Sequence, residues 1–273
     1  MGVGFMKNKF LLVVIMIFLL ACMCSCGKKS ESISDNENLP QIVIGSDNYE
    51  PFNYVDSNMQ FAGVDVEIAK EAFKRLGYRA VFKQIEWENK DEYLKTGEVD
   101  CLWGSFTMTG REDLYQWSGP YMYSNQVVVV RVDSDIHTLK DLEGKRVAVQ
   151  VSTKPEELLL DETNKNMPDV KAVYTFSTME EIYSCLRKGY CDAIAGHEDA
   201  LNAFINSEDS SEYRMIEESL YISELGVAFE KGTDIELSQE LTQTLQDMKD
   251  DGTIGKILKK YGLNVNKALG GDF

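Results

Sequence analysis

Only two histidines stand among the 273 residues, His137 and His197, and they lie in separate segments. A His-rich metal site is therefore impossible, and a His-based triad has little to build on. No Ser-His-Asp, Cys-His or metal-ligand spacing is readable, so we expect a protein that binds rather than catalyses, with no metal and no cofactor. What the chain does carry is suited to an anion. Arg111 offers a planar guanidinium that grips a carboxylate through two parallel hydrogen bonds and stays charged. Ser152-Thr153-Lys154-Pro155 follows an apolar run and opens a helical pattern, with Pro155 suited to the first turn. Free N–H groups at such a start attract negative charge. The six cysteines fall into two sets. Cys22, Cys24 and Cys26 cluster near the start. Cys101 lies in an apolar run and reads as a buried thiol, while Cys185 and Cys191 flank a turn at Gly189 and form a possible disulfide in an oxidising compartment.

These residues need elements to position them. Residues 42–45 read as an apolar strand. Ile68, Ala69, Ala72, Phe73 and Leu76 recur at helical spacing, with Gly77 as the stop. Strands at 81–85 and 99–103 flank a short helix carrying Tyr93 and Leu94, which gives β-α-β-α-β alternation and a largely parallel sheet. Val127 to Val130 are four consecutive valines, a strand buried on both faces. The alternation then restarts with a strand at 147–151, a helix whose capping box is expected at Ser177 and Glu180, and a strand at 191–195. Leu94-Lys95-Thr96-Gly97-Glu98-Val99-Asp100 echoes Leu186-Arg187-Lys188-Gly189-Tyr190-Cys191-Asp192, which points to two similar α/β lobes. A strand at 225–229, a long amphipathic helix through Leu237, Leu241, Leu245 and Met248, and a final helix capped by Thr253 complete the pattern.

Apolar residues make up 44% of the chain and charged ones 27%, with 28 Lys plus Arg against 45 Asp plus Glu and a net charge of −17. So acidic a surface repels phosphate backbones, and nucleic acid is not an expected partner. Lys7 and Lys9 precede an apolar run from Phe10 to Ala21, too short for a membrane-spanning helix of roughly 20 residues but suited to an export signal. Removing residues 1–21 takes away two Lys and no acid, leaving −17 − 2 = −19. Residues 22–40 are polar and without periodicity, a flexible tether.

Leu19-Leu20-Ala21-Cys22 resembles the lipobox of bacterial lipoproteins, in which the Cys is lipidated and becomes the new N-terminus. Together with Asp47-Asn48-Tyr49-Glu50-Pro51-Phe52, Gly63-Val64-Asp65-Val66-Glu67, Trp117-Ser118-Gly119-Pro120-Tyr121, Leu139-Lys140-Asp141-Leu142-Glu143-Gly144 and Asp251-Gly252-Thr253, in this order, it resembles bacterial extracellular solute-binding proteins of family 3, the amino-acid receptors of ABC importers. The resemblance covers residues 41–264. It implies an α/β, two-lobed periplasmic-binding-protein type II fold whose lobes, 41–129 plus 226–273 and 130–225, are joined by two crossing hinge strands near 127–132 and 221–227. Ligand is expected between them.

The resemblance also implies site residues. Arg111 matches the position that binds the ligand carboxylate. Ser105 and Thr107 match two polar loop positions, and Ser152 and Thr153 contribute from the second lobe. Tyr49 and Trp87 match the aromatic walls, and Asp47 a position that reads the distal end of the ligand side chain. The family carries an Asp for the ligand ammonium where this chain has His197. We expect the adjacent Glu198 to face the cleft and take that role. The implied partners are a polar amino acid, an ABC permease, and a membrane reached through lipid on Cys22, with the chain a monomer on the outer face of a Gram-positive cell membrane. The alternatives are a same-fold cyclohexadienyl dehydratase acting on arogenate or prephenate, and a ligand-sensing lipoprotein.

Overall fold

The computed structural model describes residues 39–208 and 211–271. The expected export signal 1–21, the lipidation site Cys22 and nearly all of the 22–40 tether lie outside these residues. Among the described residues no helix is long and apolar enough to cross a membrane.

Two three-stranded parallel units repeat the same order. β1 (Gln41–Ser46) lies between β4 (Arg79–Gln84) and β5 (Cys101–Leu102), and β7 (Arg146–Gln150) lies between β8 (Ala172–Phe176) and β9 (Ala193–His197). The echo seen in the sequence has a shared purpose. Asp100 Oδ2 accepts the Val43 N–H at 2.6 Å, and Asp192 Oδ2 accepts the Arg146 N–H at 2.8 Å, so each Asp anchors the central strand of its unit. Gly97 and Gly189 turn the chain into those anchors at φ +72° and +68°, a region that favours glycine.

Between the units run two long strands. β6 (Gln116–Arg131) and β11 (Tyr221–Phe229) pair antiparallel from Gln126↔Tyr221 to Gln116↔Phe229, with a register shift between Leu225 and Val227. β11 joins β5 on one side, and β6 joins β9 on the other, giving the order β4-β1-β5-β11-β6-β9-β7-β8 with β10 (Tyr213–Met215) paired to β6. These are the two crossing strands of a two-lobed α/β fold. The valine run is buried on both faces: Val127 and Val129 join one apolar cluster, Val128 and Val130 another, as period-two geometry requires. A small hairpin, β2 (Tyr54–Val55) with β3 (Phe61–Ala62), lies apart from this sheet.

α1 (Val64–Arg75) buries Val64, Ile68, Ala69, Ala72 and Phe73, and packs with α6 (Ile235–Asp250) and α7 (Thr253–Lys260) around one core. Its entry depends on Gly63, at φ +122°, where a Cβ would lie 2.2 Å from the Phe52 carbonyl oxygen. The close approach lets Val64 and Asp65 donate their N–H groups to Pro51 and Phe52, which fixes the loop after β1. The remaining helices are α2 (Lys90–Lys95), α3 (Lys154–Leu160), α4 (Met179–Arg187), α5 (Glu198–Ser207) and α8 (Val265–Ala268).

Three expectations are corrected. The capping box of α4 is Thr178 with Glu181, one residue beyond the expected pair, because the Ser177 hydroxyl donates instead to Glu88 at 2.7 Å. α7 begins after Gly252 with Thr253 already helical, and α8 follows it, so it is not the last helix. Cys185 and Cys191 are free, buried thiols, as is Cys101. Burial and the neighbouring Cys185 push the Cys191 thiol up, so the Cys191 sulfur is not a ready thiolate.

Candidate functional site

The carboxyl ends of β1, β4, β5, β7 and β9 converge on one cleft, where parallel α/β sheets place their ligands. The cleft is nearly shut, leaving a cavity of about 20 Å³, room for roughly one water. From the first unit come Asp47 and Tyr49 after β1, Trp87 after β4, and Gly104 to Thr107 with Arg111 after β5. From the second come Gln150, Ser152, Thr153, Lys154 and Pro155 at the end of β7, and Ala195, Gly196 and His197 at the end of β9, while β6 contributes Gln126.

Arg111 is held for work at this surface. Its guanidinium lies over the Phe106 ring at 5.5 Å, donates to the Thr107 carbonyl oxygen at 3.3 Å and reaches Glu157 at 3.0 Å, with the side chain 11% exposed. Ser105 is locked by its backbone at φ +44°, and its N–H donates to Asp65 Oδ2 at 2.6 Å. Asp65 also accepts the Tyr121 hydroxyl at 2.8 Å, and burial pushes its carboxyl up to about 7. Removing this carboxylate orphans two buried donors. Asp65→Ala should lower stability by about 1–3 kcal/mol and weaken ligand binding through a displaced Ser105, read by urea unfolding beside titration; unchanged unfolding would end the claim. Thr107 donates its hydroxyl to Ser223 at 3.0 Å.

The aromatic positions are both buried. Trp87 meets Phe106 edge-on at 5.0 Å, with Lys90 Nζ 5.4 Å above the Trp87 ring. Tyr49 crosses to the second unit, where its hydroxyl accepts the His197 N–H at 3.2 Å. Burial raises the Tyr49 phenol, which stays neutral. Gly196 leaves the room this crossing needs: a Cβ there would lie 2.8 Å from the Tyr49 hydroxyl. Asp47 makes the other crossing, accepting from Gln150 Nε2 at 2.6 Å and Asn53 Nδ2 at 3.2 Å. Burial raises its carboxyl, and those two amides oppose the shift. Asp47 is the one acid among the described residues lining this cleft.

His197 ends β9 inside the cleft. Its Nδ1 lies 3.0 Å from Ser124 Oγ, Gln126 Nε2 lies 3.0 Å from its Nε2, and burial pushes its imidazole down to about 4. The ring is neutral at physiological pH. Glu198 does not face the cleft. It opens α5 with its carboxylate turned to Lys267 Nζ at 3.0 Å and Asn125 Nδ2 at 2.9 Å, so it is not the expected ammonium partner. Ser152 and Thr153 line the cleft, but the Ser152 N–H already donates to Glu156 Oε2 at 2.6 Å, so that donor is not the free one expected.

Residues the sequence did not single out complete the lining. Gln126 hides inside the valine strand, Gln150 ends β7, and Lys154 opens α3. Phe106 underlies both Trp87 and Arg111.

A family described as bacterial extracellular solute-binding proteins, family 3, matches residues 42–264. The L-cystine-binding protein TcyA of Bacillus subtilis (strain 168) is 27% identical over 275 residues, covering 95% of this chain and 100% of the relative. Among solved structures, an ancestral arginine-binding protein bound to arginine superposes with a TM-score of 0.73 at 27% identity, covering 81% of this chain and 98% of that one. An ancestral amino-acid-binding protein, a precursor of cyclohexadienyl dehydratase, gives 0.71 at 29% identity, covering 81% and 95%. With the family match spanning most of the chain, over a two-lobed sheet whose cleft it encloses, the chain belongs to the bacterial extracellular solute-binding proteins, family 3.

Proposed function

We propose that this chain captures a polar amino acid in its cleft and delivers it to an ABC importer, acting as a binding protein and not as an enzyme. The observation that carries this reading is the partly buried guanidinium of Arg111 at a cleft between two lobes. The ligand carboxylate meets Arg111 with Ser105, Thr107 and Thr153 around it. Tyr49 and Trp87 flank the side chain, and Asp47 takes a cationic group of the ligand. His197 contributes a neutral ring. The names of the relatives support an amino acid, with cystine and arginine among those they bind.

The lobes are taken as 41–129 plus 226–273 and 130–225, the change of lobe falling within β6 and β11. Residues 1–21 act as an export signal and Cys22 as the lipidated N-terminus of a membrane-held monomer on the outer face of a Gram-positive cell. The basic-apolar-Ala-Cys order supports this; mass spectrometry of the mature N-terminus should find a diacylglycerol adduct on Cys22, and a free N-terminus elsewhere would overturn it.

Thermal-shift screening against the twenty L-amino acids tests the function. A ligand at about 100 times its Kd adds roughly 2.7 kcal/mol of stability, so a true ligand raises Tm by several degrees. No shift from any of them, together with turnover of arogenate or prephenate, would replace this reading with the dehydratase. Saturating ligand should also lower the radius of gyration in small-angle scattering, because a ligand gripped by both lobes favours the closed form. An unchanged radius would count against capture by closure.

A further inference from the structure

We propose that Lys154 and Arg111 form a carboxylate clasp drawn from both sides of the cleft, and that Glu157 is its built-in occupant, displaced when a ligand carboxylate arrives. The proposal rests on the amino-acid reading above for the nature of the ligand, but not for the existence of the clasp.

The Glu157 side chain shows what the clasp holds. One of its oxygens, Oε2, lies 3.0 Å from Arg111 Nη2, and the other, Oε1, lies 2.6 Å from Lys154 Nζ. A single carboxylate is thus gripped at both oxygens by two cations. Arg111 comes from the loop after β5, and Lys154 from α3 after β7. Both cations line the cleft, with side chains only 11% and 6% exposed, whereas the Glu157 side chain is 46% exposed at the rim. Lys154 reaches across the cleft. Its Nζ lies 5.0 Å over the Tyr221 ring, and a Cβ on Gly110 would meet it at 3.0 Å.

The charges explain why the occupant can leave. Two cations share one directly paired anion, so Glu157 alone does not neutralise the clasp. The neighbouring acids make no direct ion pair with the clasp: Glu156 accepts the Ser152 N–H, and Glu112 accepts the Gly110 N–H at 3.0 Å and acts on Lys154 through its field alone. Glu157 swings from an exposed rim position, and its release into water is cheap, whereas the cations stay desolvated. A free carboxylate entering the cleft takes over the same two partners. Because Glu157 and Arg111 come from opposite sides, their pair also draws the ligand-free cleft shut. The protein then divides between a self-occupied form and a form able to bind, and apparent affinity falls by the self-occupied fraction.

Isothermal titration with L-arginine, L-histidine and L-cystine, on wild type and on Glu157→Gln, Lys154→Gln and Lys154→Arg, tests this. For whichever of the three the wild type binds, Glu157→Gln should bind roughly two- to fivefold tighter, the modest range of a part-exposed ion pair. Lys154→Gln should bind about tenfold weaker or worse, and Lys154→Arg should return to within about threefold of wild type if the charge is what matters. A Glu157→Gln affinity equal to or weaker than wild type, or a Lys154→Gln affinity like wild type, overturns the clasp. Ligand-free small-angle scattering decides it separately. Glu157→Gln should show a larger radius of gyration than wild type, and an equal radius overturns the proposal. If the wild type binds none of the three amino acids, that ligand class fails while the scattering result still judges the clasp.

Discussion

Arg111→Ala should bind no amino acid at concentrations that saturate the wild type, while remaining folded. The guanidinium supplies a planar, permanently charged pair of donors in a cleft where water is scarce, and its loss leaves the ligand carboxylate desolvated without a partner of equal strength. Truncating one member of such a pair typically costs about 2–5 kcal/mol, or roughly 30- to several-thousand-fold in Kd. Folding is spared because the Arg111 side chain makes few contacts besides its ion pair, the Phe106 ring and one long bond to the Thr107 carbonyl, while the backbone bonds to Met108, Leu114 and the Trp117 indole survive the substitution. Its ion pair with Glu157 is part-exposed and contributes little to stability. Lys154 remains in the cleft and gives a residual attraction, but an ammonium is a point charge and cannot reproduce the two-pronged grip. Arg111→Lys should therefore fall between wild type and Arg111→Ala. Calorimetry that found Arg111→Ala within threefold of wild type would remove Arg111 from the site.

How far the chain could be read beforehand follows from which signals are local. The Leu-x-x-Gly-x-x-Asp echo was legible because each copy is a self-contained turn, and both Asp residues anchor a neighbouring strand in the same way. The valine run declared its burial for the same reason. β8 was missed because it is an edge strand with an exposed Tyr174 and no strong alternation, and β10 because three residues carry no period. Within the cleft, Arg111, Asp47, Tyr49 and Trp87 stood out by residue type and motif. Gln126, Gln150 and Lys154 did not, since an amide in a strand or a lysine at a helix start is ordinary until the lobes are brought together. Glu198 shows the limit most clearly. Its place at a strand-to-helix junction was legible, but its direction is set by Lys267, 69 positions further along the chain, on a helix whose location no local pattern reveals. Ser177 failed as a cap through the same kind of distant partner, Glu88.

His197→Gln should flatten the acid side of the stability profile. In the folded protein burial holds the imidazole down to about 4, against an ordinary value of 6.5. Between those values the unfolded chain takes up a proton that the folded chain refuses. Unfolding then binds protons, so stability rises with pH across this window and is lost as pH falls from about 6.5 to about 4. The difference amounts to on the order of 3 kcal/mol for this buried group. The surroundings explain why the ring cannot charge. Tyr49 and Phe52 meet it edge-on at 5.7 and 5.6 Å, and Ser124 and Gln126 offer neutral partners. Asp47 and Asp65 act in the opposite sense. Burial raises both carboxyls, so each costs stability as pH rises through its folded value, and the wild-type profile is the sum of these slopes. Comparing the variant with wild type isolates the histidine, because Gln is neutral throughout and can still bond to Ser124 and Gln126. Urea unfolding at half-unit steps from pH 4 to 8 should give two curves that run parallel above about pH 7 and converge or cross below about 6, the wild type losing more. Parallel curves over the whole range would mean that His197 keeps an ordinary affinity for protons and is open to water, and the neutral wall assigned to this end of the cleft would have to be abandoned.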